Sequence, residues 1–295
     1  SGHRVSYRSA LAHRVAYSLH VAPVLGSVRL DKITRRSSRE LRDYCLDKGK
    51  APTTTNHVIN TLSILLQAAE DDELIPAVPR LHRAGGGGKR RGSLTTDEAR
   101  ELFGIGIWPD DRARLANYLA AITGLRQSEI LGLELSSVAD DHLLITQHWD
   151  AVEWRLKDGT KNGEPRVVPI PANLADELRD CALAAPHSKR WIFWSSSPDS
   201  PYSGKRLTAA LYAALRSIGM SDKQRKAARI TFHSWRHFAN SRYIEAGIPA
   251  ITVRALIGHH SEEMTLRYYH PGELEAIRDV QVSFTADDQD PEAQK

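Results

Sequence analysis

Cysteine is nearly absent from the chain. Cys45 and Cys181 stand 136 residues apart, which leaves neither a disulfide framework nor a cysteine-rich zinc site, and a reducing cytoplasm is the expected compartment. Long apolar runs are missing too. The longest weakly polar stretches, around Val58–Ala69 and Leu115–Leu125, reach about a dozen residues, short of the roughly 20 that span a bilayer, so no membrane partner is expected. The N-terminus has no continuous apolar core of the kind that marks a secretory signal. It has no initiator Met either, and Ser1-Gly2-His3 reads as a cloning scar that leaves room for upstream sequence. No internal repeat period is visible. What remains is a soluble composition, 41% hydrophobic and 26% charged, over 295 residues, which is enough chain for two domains with separate cores.

Net charge is only +4, but it is unevenly spread. Residues 1–94 carry 16 Lys/Arg against 8 Asp/Glu, whereas residues 95–295 carry 24 against 28. A basic first third suits a phosphate-rich partner, and it equally suits a solvated surface.

Residues 1–84 read as a small helical domain. Tyr7–Val21 has helical apolar spacing that ends near Pro23 and Gly26; Ser37 or Ser38 can cap a second helix that stops at Gly49. Thr53–Ala69 carries Val58, Leu62, Leu65 and Leu66 at spacings of three and four, an amphipathic signature. Residues 85–94 form a Gly-rich basic linker, with four consecutive glycines that are expensive to order followed by Lys89, Arg90 and Arg91, which can pair with phosphates. The capping box Thr95-x-x-Glu98 opens a second domain, residues 95–283. Helical patterns at Asp97–Phe103 and Arg112–Ile122 break at Thr123-Gly124, and Arg126 stands where the next helix begins. Free N–H groups at such a start favour an anion. His142–Trp149, Val152–Leu156 and Arg166–Ile170 read as strands; Asn162-Gly163 between the last two signals a hairpin turn beside Lys161. Helices resume at Ala172–Ala184 and Gly204–Ile218, and residues 284–295 are an acidic tail.

Near the C-terminus the polar residues take an unusual order. His233 and Arg236 form an H-x-x-R step, Gly258-His259 follows an apolar triplet, and Tyr268 lies nine residues beyond His259. Between them Trp235, Phe238, Ile244, Ile251, Leu256 and Ile257 recur at helical intervals. An arginine, two histidines and a tyrosine on packed helices could surround a phosphate and leave a phenol free to attack it.

Taken in order, Arg126, Lys161, His233, Arg236, His259 and Tyr268 resemble the catalytic set of the tyrosine recombinases, the phage integrase family. The local words agree: Ile122-Thr-Gly-Leu-Arg126-Gln-Ser-Glu-Ile130, Lys161-Asn-Gly-Glu-Pro-Arg166-Val-Val-Pro169, His233-Ser-Trp-Arg236-His237, Leu256-Ile-Gly-His259 and Tyr268-Tyr-His270. Trp235 replaces the Leu usual in the H-x-L-R-H box. The resemblance covers about 190 residues of the second domain through these motifs, and the first domain through general character. It implies a mainly α fold: an N-terminal helical (SAM-like) core-binding domain, then a mostly helical catalytic domain with a small antiparallel β-sheet.

The resemblance also implies a reaction on double-stranded DNA. Arg126 and Arg236 would bind the non-bridging phosphate oxygens, Lys161 would protonate the leaving 5′ oxygen, His233 would act as base or proton shuttle, and His259 would donate a hydrogen bond to the phosphate. Tyr268 would form a 3′-phosphotyrosine, without metal, cofactor or ATP. Four protomers would exchange strands through a Holliday junction, with accessory DNA-bending proteins as further partners, and Gly272–Val282 would dock on a neighbour. Tyr269, Lys157 and His260 compete for three of these roles; family spacing favours Tyr268 and Lys161, and Gly258 decides for His259. Rival readings are a non-catalytic DNA-binding protein, a type IB topoisomerase, and a metal hydrolase built on His233 and His237 at i, i+4.

Overall fold

The computed structural model describes residues 7–86, 92–159, 165–187, 189–258 and 271–283. The chain divides into two compact units, Ser1–Arg90 and Arg91–Lys295, and its architecture is mainly α with a small antiparallel β region. Among the described residues no helix is long and apolar enough to cross a membrane.

In the first unit, α1 (Tyr7–Ala16) runs through a π-helical turn, Tyr17–Val21, into α2 (Ala22–Leu25). The sequence suggests an end near Pro23, and the chain instead stays helical past it. Proline has no N–H to donate and its ring crowds the carbonyl four residues back; a wider π turn just before it relieves both problems. Helix α3 (Arg35–Asp47) is capped three residues before the first of the expected serines. Thr34 is its N-cap, with Ser37 N donating to Thr34 Oγ1 and Thr34 N donating to Ser37 Oγ at 3.1 Å. Ser38 is buried, donating to Arg35 O at 2.8 Å and accepting from His82 N at 2.9 Å. Helix α4 (Pro52–Asp71) opens on a proline at its first turn, where a missing N–H costs nothing. Leu41 and Cys45 from α3 meet Val58, Ile59, Leu62 and Leu66 from α4 in one core, whereas Leu65, expected on the apolar stripe, is 40% exposed.

The second unit opens on α5 (Thr96–Leu102), whose capping box joins Thr95 and Glu98 as its spacing suggests. Helix α6 (Asp111–Thr123) is buried from Leu115 to Thr123 and forms the axis of the unit. A short α7 (Gln127–Leu131) leads to four strands: β1 (His142–Ile145), β2 (Gln147–Asp150), β3 (Arg155–Asp158) and β4 (Arg166–Pro169). The expected hairpin between β3 and β4 is not the one that forms. Those strands do not pair with each other: β3 pairs with β2, Gln147 opposite Asp158, and β4 pairs with β1, Ile145 opposite Arg166. The turn that closes a hairpin is Ala151–Trp154, where Asp150 Oδ1 accepts from Val152 N at 2.8 Å and Glu153 N at 3.1 Å. Asn162 and Gly163 lie outside the described residues.

Among the described residues six helices complete the unit: α8 (Ala172–Leu183), α9 (Gly204–Ser217), α10 (Asp222–Ala227), α11 (Ser234–Glu245), α12 (Ala250–Ile257) and, beyond the undescribed stretch 259–270, α13 (Pro271–Val282). Helix α11 lies along α6. The indole of Trp235, 1% exposed, donates to Asn117 Oδ1 at 2.8 Å, and the Tyr243 hydroxyl donates to Ile122 O. The departure from the family's leucine is thus accommodated by a polar partner inside α6. Helix α13 packs on its own unit. Ile277 and Gln281 are buried, and Gln281 Nε2 donates to Pro169 O at 2.9 Å and to Tyr243 Oη at 3.0 Å. The segment that the resemblance assigns to a neighbour is docked in cis in the single chain.

Candidate active site

Two left-handed glycines bring the site together. Gly124 ends α6 at φ +68° and Gly258 ends α12 at φ +77°, conformations that glycine adopts without steric cost. After the first turn, Arg126 becomes the N-cap of α7. Its backbone N donates to Glu129 Oε2 at 2.9 Å, its Nη1 to Glu129 Oε1 at 2.9 Å, and its Nη2 to Gly258 O at 2.9 Å. Glu129 is fully buried and accepts a second fork, Arg166 Nη1 at 3.1 Å and Nη2 at 2.8 Å. Arg236, the last residue of the H-x-x-R step, is 4% exposed; its Nη1 donates to Gly124 O at 3.0 Å and to Ile257 O.

Three successive carbonyls at the end of α12 therefore face three different arginines. Leu256 O accepts from Arg166 Nε at 3.1 Å, Ile257 O from Arg236, and Gly258 O from Arg126. The last carbonyls of a helix lack intrahelical donors and sit at the negative end of its dipole, so cations belong there. Three guanidiniums around a single carboxylate leave an excess of buried positive charge. Arg236 feels it most: burial, then the neighbouring charges of Arg126 and Arg166, push its pKa down to about 9 against the pull of Glu129. Its Nη2 is buried with no hydrogen-bond partner among the described residues.

Burial alone would raise the Glu129 carboxyl, but the charge and hydrogen bonds of Arg166, followed by those of Arg126, hold it below the ordinary carboxylate value. Its stabilisation is therefore complete above the unfolded pKa and is lost as pH falls through the depressed folded one. Glu129→Ala should cost about 3–5 kcal/mol, because it leaves Arg166 as an uncompensated buried charge. Denaturant unfolding of the second unit measures this, and a loss below about 1 kcal/mol would mean that solvent already neutralises the pair.

His233 is the N-cap of α11, one turn before Arg236, and its ring meets that of His237 edge to face at 5.4 Å. No group of three or more His, Cys, Asp or Glu among the described residues is placed to hold a metal ion. Lys157, the competitor of Lys161, is engaged on the β2–β3 hairpin by Asp150 at 2.7 Å and by Glu153. Those bonds raise its pKa and hold Asp150 down at about 2. Lys161, His259, His260, Tyr268 and Tyr269 lie outside the described residues, as do Lys89, Arg90 and Arg91. The structure thus assembles Arg126 and Arg236, with His233 on the next turn. Glu129 and Arg166 stood in the motif words without a role; the available signal was a carboxylate three residues after Arg126 on an otherwise apolar helix face.

A match to the family model described as Phage integrase family covers residues 93–274. The chain belongs to the phage integrase family. It is a tyrosine-type, site-specific DNA recombinase. Among relatives of this recombinase, the integrase of Mycobacterium phage L5 is 25% identical over 289 residues, covering 90% of this chain and 73% of that protein. The tyrosine recombinase XerA of Thermococcus kodakarensis is 28% identical over 189 residues, covering 64% of this chain and 61% of that protein, so the chain spans less than two thirds of XerA. The fold is shared with the Tn1549 transposon integrase in complex with a circular intermediate DNA, at TM-score 0.74 and 17% identity over 92% of this chain and 93% of the other.

Proposed function

We propose that this recombinase cleaves one strand of a DNA duplex at a mobile-element junction, using Arg126 and Arg236 to hold the scissile phosphate and Tyr268 to attack it. The observation that carries the reading is Arg236: a guanidinium 4% exposed, beside two other arginines, with an Nη2 that has no partner among the described residues. A phosphodiester oxygen supplies both the acceptor and the negative charge. Planar forks bind two non-bridging oxygens in a way that lysine cannot imitate, and their charge counts most in the pentavalent transition state.

Tyr268 Oη attacks phosphorus and passes its proton to His233, since a phenol of pKa near 10 is otherwise a poor nucleophile at neutral pH. The bond from phosphorus to the 5′ oxygen breaks, and that oxygen takes a proton from Lys161. His259 donates to a phosphate oxygen. The products are a 3′-phosphotyrosine and a free 5′-hydroxyl. The ester keeps the energy of the phosphodiester, so a 5′-hydroxyl from another strand reverses the step. Four protomers on two duplexes would make the exchange reciprocal. The relatives' descriptions, a phage integrase and a transposon integrase on circular intermediate DNA, support integration and excision as the setting.

Incubating the protein with DNA from the ends of its source element tests this reading. A denaturing gel should show covalent protein–DNA adducts, and their absence on every junction tried would leave only a DNA-binding role. The proposed linker interaction with DNA is tested separately. Neutralising Lys89, Arg90 and Arg91 together should weaken binding to all sequences. The slope of log K against log salt should also become shallower, by roughly 0.9 for each phosphate that these side chains neutralise. An unchanged slope would place those three charges away from DNA.

A further inference from the structure

Arg166 is the member of the arginine cluster that no catalytic role claims. It is the first residue of β4, where pairing with Ile145 fixes its backbone, and its side chain is 7% exposed. Its fork is spent on Glu129 and its Nε on Leu256 O. Each Glu129 oxygen consequently has two donors, one from Arg166 and one from Arg126: Oε1 takes Nη1 of both, and Oε2 takes Arg166 Nη2 and the Arg126 backbone N. An ionised carboxylate has about four lone-pair sites, so Glu129 is saturated and the aim of Arg126 follows from where Arg166 holds it. The Arg166 guanidinium also lies against Gly258, where an added Cβ would stand 2.9 Å from Arg166 Cζ. Arg166 therefore bears directly on the residue whose carbonyl takes the other end of the Arg126 fork.

We infer that Arg166 is a positioning residue of the recombination reaction: it does not touch the scissile phosphate, and it aims Arg126 at it through Glu129. The inference rests on the phosphate-binding role proposed above for Arg126. A lysine in place of Arg166 keeps the charge but loses the fork. It cannot meet both Glu129 oxygens and Leu256 O together, and Glu129 is then free to rotate and take Arg126 with it.

The purely structural alternative is that Arg166 only ties β4 to α7 and α12. The two are separated by measuring what the scissile phosphate itself adds to binding. In a Tyr268→Phe background, which blocks turnover, affinity is compared for an intact junction DNA and for the same duplex nicked so that the scissile phosphate is missing, with hydroxyls on both sides. The intact site should bind at least about tenfold more tightly, the usual gain from charge-assisted hydrogen bonds to one group. In Arg166→Lys that ratio should fall to within about threefold of the ratio for Arg126→Ala, while affinity for the nicked duplex stays unchanged. With Tyr268 intact, cleavage by Arg166→Lys should slow about 10–100-fold, as when a residue that orients a ligating group is lost. If both affinities fall together and the ratio holds, Arg166 is structural and the inference is overturned. Should Arg166→Lys fail to fold by thermal melting, the uncharged pair Glu129→Gln/Arg166→Gln removes both buried charges at once and must show the same loss of ratio. An unmodified protein that forms no adduct and shows no increment from the phosphate would instead overturn the recombinase assignment of Arg126.

Discussion

Tyr268→Phe is expected to abolish covalent adducts and recombination while leaving folding and DNA binding intact. The substitution removes one hydroxyl and keeps a ring of nearly the same shape, so any lost binding would have to come from that oxygen alone. Water does not replace it, because in-line attack needs a nucleophile held close to phosphorus with its orbital aligned, and positioning of that kind is worth several powers of ten. Tyr269→Phe should remain active. Only Tyr268 stands nine residues from His259, the spacing that the family resemblance gives the nucleophile. Peptide mapping of a trapped adduct decides between them. A phosphate on Tyr269 would overturn the spacing argument, and an adduct on neither would favour the DNA-binding-only reading.

Lys161→Ala should slow cleavage by about 10²–10⁴-fold, the range for a positioned general acid. The loss should be largely restored when sulfur replaces the bridging 5′ oxygen, since a thiolate leaves without a proton. Lys157→Ala should behave differently. Its ammonium is tied to Asp150 and Glu153, and that pairing makes it a weaker acid, so its removal should disturb the hairpin rather than the leaving group. Sulfur rescue of Lys157→Ala but not of Lys161→Ala would reverse the assignment.

Local signals read true where the physics is local. Thr95 and Glu98 cap α5 because both halves of the box lie within four residues, and Gly124 stops α6 because the turn needs φ +68° at that one position. Legibility failed where a distant partner decides. Three strands were legible, but the pairing of β3 and β4 with successive halves of His142–Asp150 is set by packing that no turn dipeptide encodes. Neither Ser37 nor Ser38 caps α3: Thr34 does, with Ser37 returning the bond, and Ser38 is drawn inward by His82, more than 40 residues away. Arg126 and Arg236 could be named from their motif words. Glu129 and Arg166 meet across 37 residues, and nothing in either neighbourhood announces that one saturates the other.

The carbonyls at the end of α12 carry a consequence for how the site is inherited. Leu256, Ile257 and Gly258 contribute oxygen atoms that every amino acid possesses, so codon changes at Leu256 and Ile257 do not delete the acceptors on which the arginines rest. The vulnerable information is concentrated elsewhere, in the single carboxylate of Glu129 and in the bare α-carbon of Gly258, where a left-handed φ strains any side chain and an added Cβ would force the Arg166 guanidinium to shift. Half of the scaffold that orients the three arginines is thus written in the main chain, and the other half in one carboxylate and one bare α-carbon.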